Sequence, residues 1–512
     1  MPRILAVLIA LTISIVLAAG CGKDGESSSS AAAALAPAGS FVYAEATLRP
    51  EGEQKAAIDD LVSKFPGEGS AGERIRRLVD KAMAESESNL SYEDDIEPWL
   101  GDEAAFFVSG LSSSGKDPHA AGMVATEDED ATVAAIEKDE EDARKTDYRG
   151  RDLYLFAEDE SAGAVVDGWL VLGNPGGVKA AIDTAEGGKA IEGDDAFKRT
   201  LEDAGEDRLG FMYMDLPGLA AQIEKSPAAP MFEQFREVFA EPVLATAHAD
   251  DNGIRFEGTV PASALAGLPF VAEGSAMVDE LPADSWLAMA QPELGKTIDV
   301  YLDMMAGVAG GRDVIAQQLR ATTGLDLERD VVAWMGDWGV FVRGASVPEL
   351  NGALIVETSD EAASGRFIDA LVKLARQTAD AGVTVAPLRA PGGGQGATIT
   401  SPEVPQPIHF FQHDGRVVLA FGDAAARDAF DPAQRLGDSA EFADAKAALG
   451  GDYAVSFYVA LGPILDLAEA AGAGASAEFQ QALPYLEPLG AFVGGARKDG
   501  DDVRSAFGLT VK

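Results

Sequence analysis

The feature that most constrains the fold is an internal repeat as long as a whole domain. Six short segments of the first half recur in the same order in the second half, 235 to 251 residues later. The series begins with Pro37–Ala44, which recurs as Pro282–Met289. Solenoid and propeller repeats are only about 20–50 residues long. The sequence therefore predicts two copies of one domain over 37–265 and 280–512, joined by a connector over 266–279.

Each copy mixes short, mostly apolar strands with amphipathic helices. Apolar runs flank the pairs Asp167-Gly168 and Asp414-Gly415, a pattern typical of two-residue hairpin turns. A helix is predicted over Asp130–Lys145. Turns rather than single crossover helices connect most of the strands. This arrangement favours an α+β fold, in which each copy is a mostly antiparallel or mixed sheet packed with helices on one face.

The charge of the chain excludes two kinds of partner. Among 512 residues, 40 are Lys or Arg and 85 are Asp or Glu, which gives a formal net charge of −45. Nucleic-acid binding requires a basic surface that displaces counterions from phosphates. Electrostatic attachment to anionic lipids requires clustered basic residues as well. We therefore expect no nucleic-acid partner and no electrostatic binding to a membrane surface.

The N-terminus predicts secretion and lipidation. Residues 1–20 have the pattern of a lipoprotein signal peptide, since the apolar stretch Ile4–Ala19 is too short to span a bilayer. Leu17–Cys21 resembles the bacterial lipobox, and Cys21 is the single cysteine of the chain. We expect a lipid anchor with palmitate-like acyl chains at Cys21 and a flexible Gly/Ser/Ala tether over 21–36. The protein would then be extracytoplasmic, held at the outer face of the cytoplasmic membrane in a bacterial cell envelope.

One recurring motif, Asp-x-x-x-Trp followed by an apolar residue and Gly-Asp, has two interpretations. Its residues are Asp95, Trp99, Gly101 and Asp102 in the first copy and Asp330, Trp334, Gly336 and Asp337 in the second. In a functional interpretation, the tryptophans line a site that contains the acids. In a structural interpretation, each Trp packs in the core, each Gly ends a helix in a left-handed conformation, and each Asp braces the next turn. The structural interpretation is favoured because the next residue differs, Glu103 in one copy and Trp338 in the other.

No catalytic motif occurs in the sequence. The G-x-S-x-G elbow is absent, and Gly110–Ser114 matches it only in part. Zinc-protease and phosphate-loop patterns are also missing. His409 and His413 are predicted on a strand, which separates them by about 13 Å and argues against a shared metal. The acidic runs 127–130 and 139–142 lack calcium-loop spacing and are interpreted as solvated helix faces. The sequence thus predicts no enzyme, no metal and no cofactor.

Three segments together resemble a known family. They are Pro37–Tyr43, Arg49–Lys55 and Trp99–Asp102, and they are similar to the extracytoplasmic lipoproteins called domain of unknown function 3352, which are common in actinobacteria. The second copy departs from this pattern, with Gln291–Lys296 in place of Arg49–Lys55. The resemblance implies a location outside the cytoplasm and this architecture, and it implies no catalytic residues.

Three functional hypotheses follow from the sequence. The favoured one is a membrane-anchored, non-enzymatic binding or scaffold protein of the cell envelope, with an envelope protein or an apolar ligand as its partner. The second is a carrier of an apolar or lipid-like ligand, in a cavity enclosed by curved sheets and helices. The third is an envelope hydrolase, which needs two carboxylates about 5–9.5 Å apart.

Overall fold

Contacts in the computed structural model divide the chain into two compact units, Met1–Ala264 and Leu265–Lys512. Within them the structure describes residues 31–50, 52–67, 69–85, 88–111, 118–139, 143–156, 160–202, 208–224, 236, 239–265, 274–309, 311–379, 382–388 and 394–512.

Unit 1 is built on an antiparallel sheet. Its described strands are β1 (Ser40–Thr47), β2 (Leu100–Leu111), β3 (Pro118–Thr126), β4 (Arg144–Tyr148), β5 (Arg151–Phe156), β6 (Ser161–Val166), β7 (Trp169–Gly173), β8 (Gly210–Met214), β9 (Val243–Asp250) and β10 (Gly253–Pro261). Their pairings give the order β10-β9-β8-β1-β2-β3-β7-β6-β5-β4, with every pair antiparallel.

Unit 2 has a sheet of the same design. Its described strands are β11 (Leu287–Gln291), β12 (Met335–Arg343), β13 (Asn351–Thr358), β14 (Thr384–Pro387), β15 (Gln395–Thr400), β16 (Ile408–His413), β17 (Arg416–Phe421), β18 (Ala454–Ala460), β19 (Leu489–Asp499) and β20 (Asp502–Val511). Their antiparallel pairings give the order β20-β19-β18-β11-β12-β13-β17-β16-β15-β14. This is the order of unit 1 with every strand number raised by ten.

Helices pack on these sheets, which confirms the α+β class. The described α-helices are α1 (Gly52–Ser63), α2 (Ala71–Glu85), α3 (Glu129–Asp139), α4 (Pro175–Ala185), α5 (Asp195–Glu202), α6 (Leu216–Ile223), α7 (Ala262–Leu265), α8 (Met277–Glu280), α9 (Leu294–Ala309), α10 (Arg312–Thr323), α11 (Glu361–Thr378), α12 (Asp423–Asp428), α13 (Ala440–Ala447), α14 (Leu461–Ala470) and α15 (Ala477–Leu486). Short π-helical turns cover Tyr92–Ile96 and Leu327–Val332.

The two predicted hairpin turns are confirmed. Asp167-Gly168 joins β6 to β7 with φ of 47° and 80°, and Asp414-Gly415 joins β16 to β17 with φ of 46° and 70°. Positive φ at both central residues matches the twist of the strands that they join. Arg149-Gly150 makes a third such turn, with φ of 55° and 81°.

The helix predicted over Asp130–Lys145 is shorter in the structure. It ends at Asp139, and Arg144–Tyr148 is strand β4.

Each unit has its main core between one sheet face and helices. In unit 1 the Phe197 ring of α5 meets Tyr43 and Tyr213 edge-on, at centroid distances of 5.5 and 5.2 Å. In unit 2 the Phe442 ring of α13 meets Tyr458 edge-on at 5.4 Å. Such pairs contribute about 0.5–1.5 kcal/mol beyond the burial of their area.

In unit 2 a helix also packs on the opposite sheet face. Ile368 and Val372 of α11 are buried in a second cluster with Val356, Phe410 and Val417. The neighbours of these strand residues, such as Ile355 and Phe411, point into the main core. The prediction of helices on one face only is therefore wrong for unit 2, because β13, β16 and β17 are apolar on both faces.

The segment before β1 is packed against unit 1. Ala32, Ala33, Leu35 and Ala36 are between 0 and 3 % exposed. The Ile191 N–H donates to the Ala36 carbonyl at 2.8 Å. The predicted flexible tether therefore does not extend over Ala32–Ala36.

Unit 2 has a matching segment in front of β11. Met277, Val278 and Leu281 are buried in its core, and the Leu436 N–H donates to the Leu281 carbonyl at 2.7 Å. Helix α8 therefore belongs to the core of unit 2, although its first three residues lie in the predicted connector.

Candidate functional site

The recurring Asp-Trp motif forms the same structure in both units. Trp99 and Trp334 follow the two π-helical turns, and each is 1 % exposed. Each indole N–H donates to the backbone carbonyl four residues earlier, at 2.5 Å to Asp95 and at 3.0 Å to Asp330. Both tryptophans therefore bury a satisfied donor, as a core residue requires.

The first Asp of each motif closes its turn through the backbone. The Ser91 N–H donates to the Asp95 carboxylate at 2.8 Å, and the Asp326 N–H donates to the Asp330 carboxylate at 2.9 Å. Each carboxylate thus satisfies a donor that the start of a helical turn leaves without a helical partner.

Cations complete the surroundings of these two acids. Burial acts to raise the pKa of Asp95, but hydrogen bonds from Lys138, at 2.5 Å, and from the backbone hold that pKa below its ordinary value. The side-chain hydrogen bond from Arg329 lowers the pKa of Asp330 well below its ordinary value, against burial and with help from Arg366 at 2.8 Å. Both acids are ionised at neutral pH and engaged within the chain.

The motif glycines do not end helices in a left-handed conformation, so that prediction is wrong. Gly101 and Gly336 lie in strands β2 and β12, where the register with the next strand shifts. A Cβ on Gly101 would lie 2.8 Å from both the Cβ and the carbonyl oxygen of Ala125. A Cβ on Gly336 would lie 3.3 Å from the Glu357 carbonyl oxygen. Close approach of a neighbouring strand, and not backbone handedness, therefore explains the glycine at position 101.

The last Asp of each motif binds the chain beside the strand. The Arg49 guanidinium donates to Asp102 at 3.4 Å. Asp337 accepts a hydrogen bond from the Ser275 hydroxyl at 2.6 Å and one from the Glu293 N–H at 3.3 Å. These contacts support a bracing role for both acids.

Glu103 is the one acid beside the motif with a raised pKa. Burial raises the pKa of Glu103, and the neighbouring Asp102 raises it further. Trp338 occupies the corresponding place in unit 2 and packs beside the second cluster. Because only one unit carries the acid, a catalytic pair common to both units is not supported.

His409 and His413 lie on β16 as predicted, and they are engaged separately. The ring nitrogens of His409 contact the Thr398 hydroxyl at 3.0 Å and the Asp423 carboxylate at 2.8 Å. The His413 ring lies 5.4 Å from the Phe430 ring. Over the described ranges, no group of three or more His, Cys, Asp or Glu side chains is placed to hold a metal.

Some of the acidic runs bind backbone donors rather than only water. Asp128 accepts a hydrogen bond from the Ala131 N–H at 3.0 Å, and Glu129 accepts one from the Gly168 N–H at 2.8 Å. Asp139 is buried and accepts from the Ser88 hydroxyl at 2.6 Å. Several other predicted features lie outside the described residues, namely the signal peptide over 1–20, Cys21, the tether over 21–30, the loop over 112–114, residues 140–142 and connector residues 266–273.

The surface that stands out is an apolar strip on the second face of the unit 2 sheet. One row of directly paired residues crosses seven strands from β20 to β17. Its members are Phe507, Gly494, Phe457, Met289, Val340, Leu354 and Leu419. Because strand residues alternate between the two faces, this row points away from the main core.

A second row lies two residues along each strand and completes the strip. Its members are Leu509, Phe492, Val459, Leu287, Val342, Gly352 and Phe421. The rings of Phe457, Phe492 and Phe507 cluster with centroids 5.3 to 6.4 Å apart. Phe492 is 39 % exposed, Phe507 41 % and Leu419 48 %. A connected apolar surface of this kind is uncommon on proteins that have no partner for it.

The strip offers apolar contact and little else. Neither row contains a side chain with an N–H, O–H or carbonyl group. The strands β19, β18, β11, β12, β13 and β17 each pair with two neighbours, so their backbone groups are engaged in the sheet. An added β-strand therefore has no free edge to pair with inside the strip.

Unit 1 has a smaller version of this surface. Met212, Ala44 and Phe106 are directly paired across β8, β1 and β2, on the face opposite the unit 1 core. Met212 is 38 % exposed and Phe106 is 37 % exposed. The apolar face is thus common to both units.

The sequence did not predict the strip. The ligand-carrier hypothesis instead placed the apolar ligand in a cavity between the sheets and the helices. Phe411 and Val418, in the main core of unit 2, are fully buried. The available apolar surface lies on the other side of the same strands. The signal in the sequence is the unbroken apolar run of β17, Val417–Phe421, which indicates a strand that is apolar on both faces.

The helices of the described ranges include none that is both long enough and apolar enough to cross a membrane.

Comparison with known proteins identifies a family and no characterised relative. The model of the family described as "Protein of unknown function (DUF3352)" matches residues 3–491. No curated protein matches the chain. Among solved structures, crystal form I of TP0453 matches with 11 % identity over 46 % of this chain and 79 % of that chain, at a TM-score of 0.24. At that TM-score the likeness carries no argument about this chain.

Proposed function

The chain belongs to the family described as protein of unknown function DUF3352, and from that premise we propose that it is a non-enzymatic binding protein of the bacterial cell envelope. Its binding surface is the apolar strip of unit 2. The observation that carries the proposal is the exposure of Leu419, Phe492 and Phe507 in two rows of side chains that carry no N–H, O–H or carbonyl group. Leaving such a surface in water costs roughly 25 cal/mol for each Å² of apolar area, which a bound ligand recovers.

The motif geometry supports a structural role rather than a catalytic one. Hydrogen bonds within the chain engage the carboxylates of Asp95 and Asp330 and the indole N–H groups of Trp99 and Trp334. A catalytic acid or base needs a proton path to a substrate. Residues held in this way stabilise turns at the start of β2 and β12.

Two copies of one domain account for the identical strand orders. The Pro37–Ala190 bridge of unit 1 has its counterpart in the Pro282–Arg435 bridge of unit 2. The packed segments before these prolines also correspond. We place the beginning of the two copies near Ala32 and Met277, slightly earlier than the sequence repeats do.

Attachment to the outer face of the cytoplasmic membrane is part of the proposal. The signal-like residues 1–20 and the single Cys21 support it. A body with a net charge of −45 is repelled by anionic headgroups, so acyl chains on Cys21 would have to supply the attachment. Metabolic labelling with a palmitate analogue tests this, because Cys21→Ser should abolish the label and equal labelling of both chains would contradict lipidation.

Binding is tested with Nile red, an uncharged dye that fluoresces in apolar surroundings, and the non-acylated body Gly22–Lys512. We expect saturable binding that Leu419→Gln weakens about five-fold, since half of a leucine's burial corresponds to about 1 kcal/mol. The matched control is Val314→Gln, because Val314 is 46 % exposed on α10 and belongs to neither row of the strip. Equal affinity of the two variants, or no saturable binding by the wild type, would show that the strip is not the binding surface.

A further inference from the structure

We infer that the occupant of the apolar strip is the acyl chain of a single diffusible lipid, lying across the strands of unit 2. This inference rests on the proposed function and names the class of ligand. Its basis is the shape, the chemistry and the charge of the strip.

The dimensions of the strip suit a hydrocarbon chain. Seven adjacent strands at about 4.8 Å spacing give a length of about 29 Å, and two rows of side chains are about 7 Å apart. A bilayer core two acyl chains deep is about 30 Å thick, so one chain needs about 15 Å. A long acyl chain is therefore short enough to lie within the strip along its whole length.

The chemistry of the strip disfavours a protein partner. Protein interfaces form about one hydrogen bond per 100–200 Å², with a polar rim. The two rows of the strip carry no side-chain N–H, O–H or carbonyl group, and each inner strand pairs with two neighbours. A polar group placed on the strip loses its hydrogen bonds to water and gains none in return, which costs free energy. Hydrocarbon forms no hydrogen bonds, so its binding there carries no such cost.

Charge and attachment disfavour the other apolar occupants. A second copy would bring a further net charge of −45 into contact. The same charge opposes flat contact with an anionic bilayer. Acyl chains on Cys21 would attach the protein to the membrane only while they are buried in the bilayer. Binding of these chains to the strip would therefore detach the protein from the membrane. A diffusible lipid has none of these conflicts.

The test is photo-crosslinking of the full-length chain in living cells of its native type. p-Benzoylphenylalanine replaces Leu419 in one strain and Val314 in a control strain. After irradiation, the protein is digested and the peptides with added mass are identified by mass spectrometry. We expect an intact lipid joined through its acyl chain at position 419, at least ten times more abundant than at position 314.

The alternative outcomes separate the two proposals. An adduct at 419 with a peptide, from another protein or from a second copy, would overturn the lipid inference and leave the apolar binding surface in place. An adduct with the N-terminal peptide that carries Cys21 would also overturn it, because the occupant would then be the protein's own anchor. No adduct at 419, or equal adducts at 419 and 314, would overturn both the inference and the proposed function.

Discussion

Replacing Asp330 with asparagine tests how the π-helical turn of unit 2 is held. The carboxylate is 2 % exposed, accepts the Asp326 N–H, and contacts Arg329 at 2.7 Å and Arg366 at 2.8 Å. Asp330→Asn keeps the size and one acceptor oxygen. It removes the charge and turns an amide N–H₂ toward guanidinium donors.

The expected loss follows from these contacts. The backbone hydrogen bond persists through the amide oxygen. The arginine side chains are 68 % and 45 % exposed, so solvent screens them and each pair contributes about 0.2–1 kcal/mol. We therefore expect Asp330→Asn to lower the free energy of unfolding by about 1–2 kcal/mol at pH 7.

The effect has a defined pH dependence. The folded pKa of Asp330 is lowered, so its stabilisation is complete above the ordinary value of about 3.9 and is lost as pH falls through the folded pKa. Urea unfolding followed by tryptophan fluorescence measures this, because Trp334 lies in the same turn. The difference between wild type and Asp330→Asn should stay constant from pH 7 to about pH 5 and shrink below about pH 4.

The control is Asp444→Asn, which removes the same charge from an exposed position on α13. We expect it to change stability by less than about 0.5 kcal/mol. An unchanged midpoint for Asp330→Asn at pH 7, or a difference that is as large at pH 3 as at pH 7, would refute the assignment of the stabilisation to the ionised carboxylate.

Two further substitutions test the packing around the sites. Gly101→Ala should destabilise by about 1–3 kcal/mol in urea melts, since its Cβ would overlap Ala125, whereas Gly110→Ala has open space around it and should cost less than about 1 kcal/mol. Arg343→Met should destabilise by about 2–4 kcal/mol in the same assay, because it leaves the largely buried Asp428 without its cation. An unchanged free energy of unfolding for Arg343→Met would mean that Asp428 becomes hydrated when its cation is removed.

Much of the sheet was predictable because turn chemistry is local. Asp-Gly pairs force positive φ at two successive residues, so they identify hairpins without knowledge of the fold. The two units share one further repeat. The pattern Thr126, Asp128, Thr132 returns as Thr358, Asp360, Ser364, where hydroxyl pairs at 2.6 and 3.1 Å close the same helix start.

The remaining features depend on contacts between distant segments. Ala32–Ala36 is low in complexity and resembles a linker in the sequence. Its burial depends on the core of unit 1, which is formed by residues distant in the chain. Gly101 resembles a helix stop, but the turn before it leads into β2 with no loop between. The strip is the clearest case. Periodicity shows that a strand is apolar on both faces, but not whether both faces are covered.

The burial of Ala32–Ala36 also bears on how a force applied at the N-terminus would be transmitted to unit 1. Under the proposed attachment, any pull between membrane and body acts on this segment first. The Ala36 carbonyl and the Ala38 N–H are tied to Ile191 and Lys189, just before helix α5, at 2.8 and 2.9 Å. If the chain is attached through Cys21, tension would thus be shared with that distant part of unit 1 before it reaches β1.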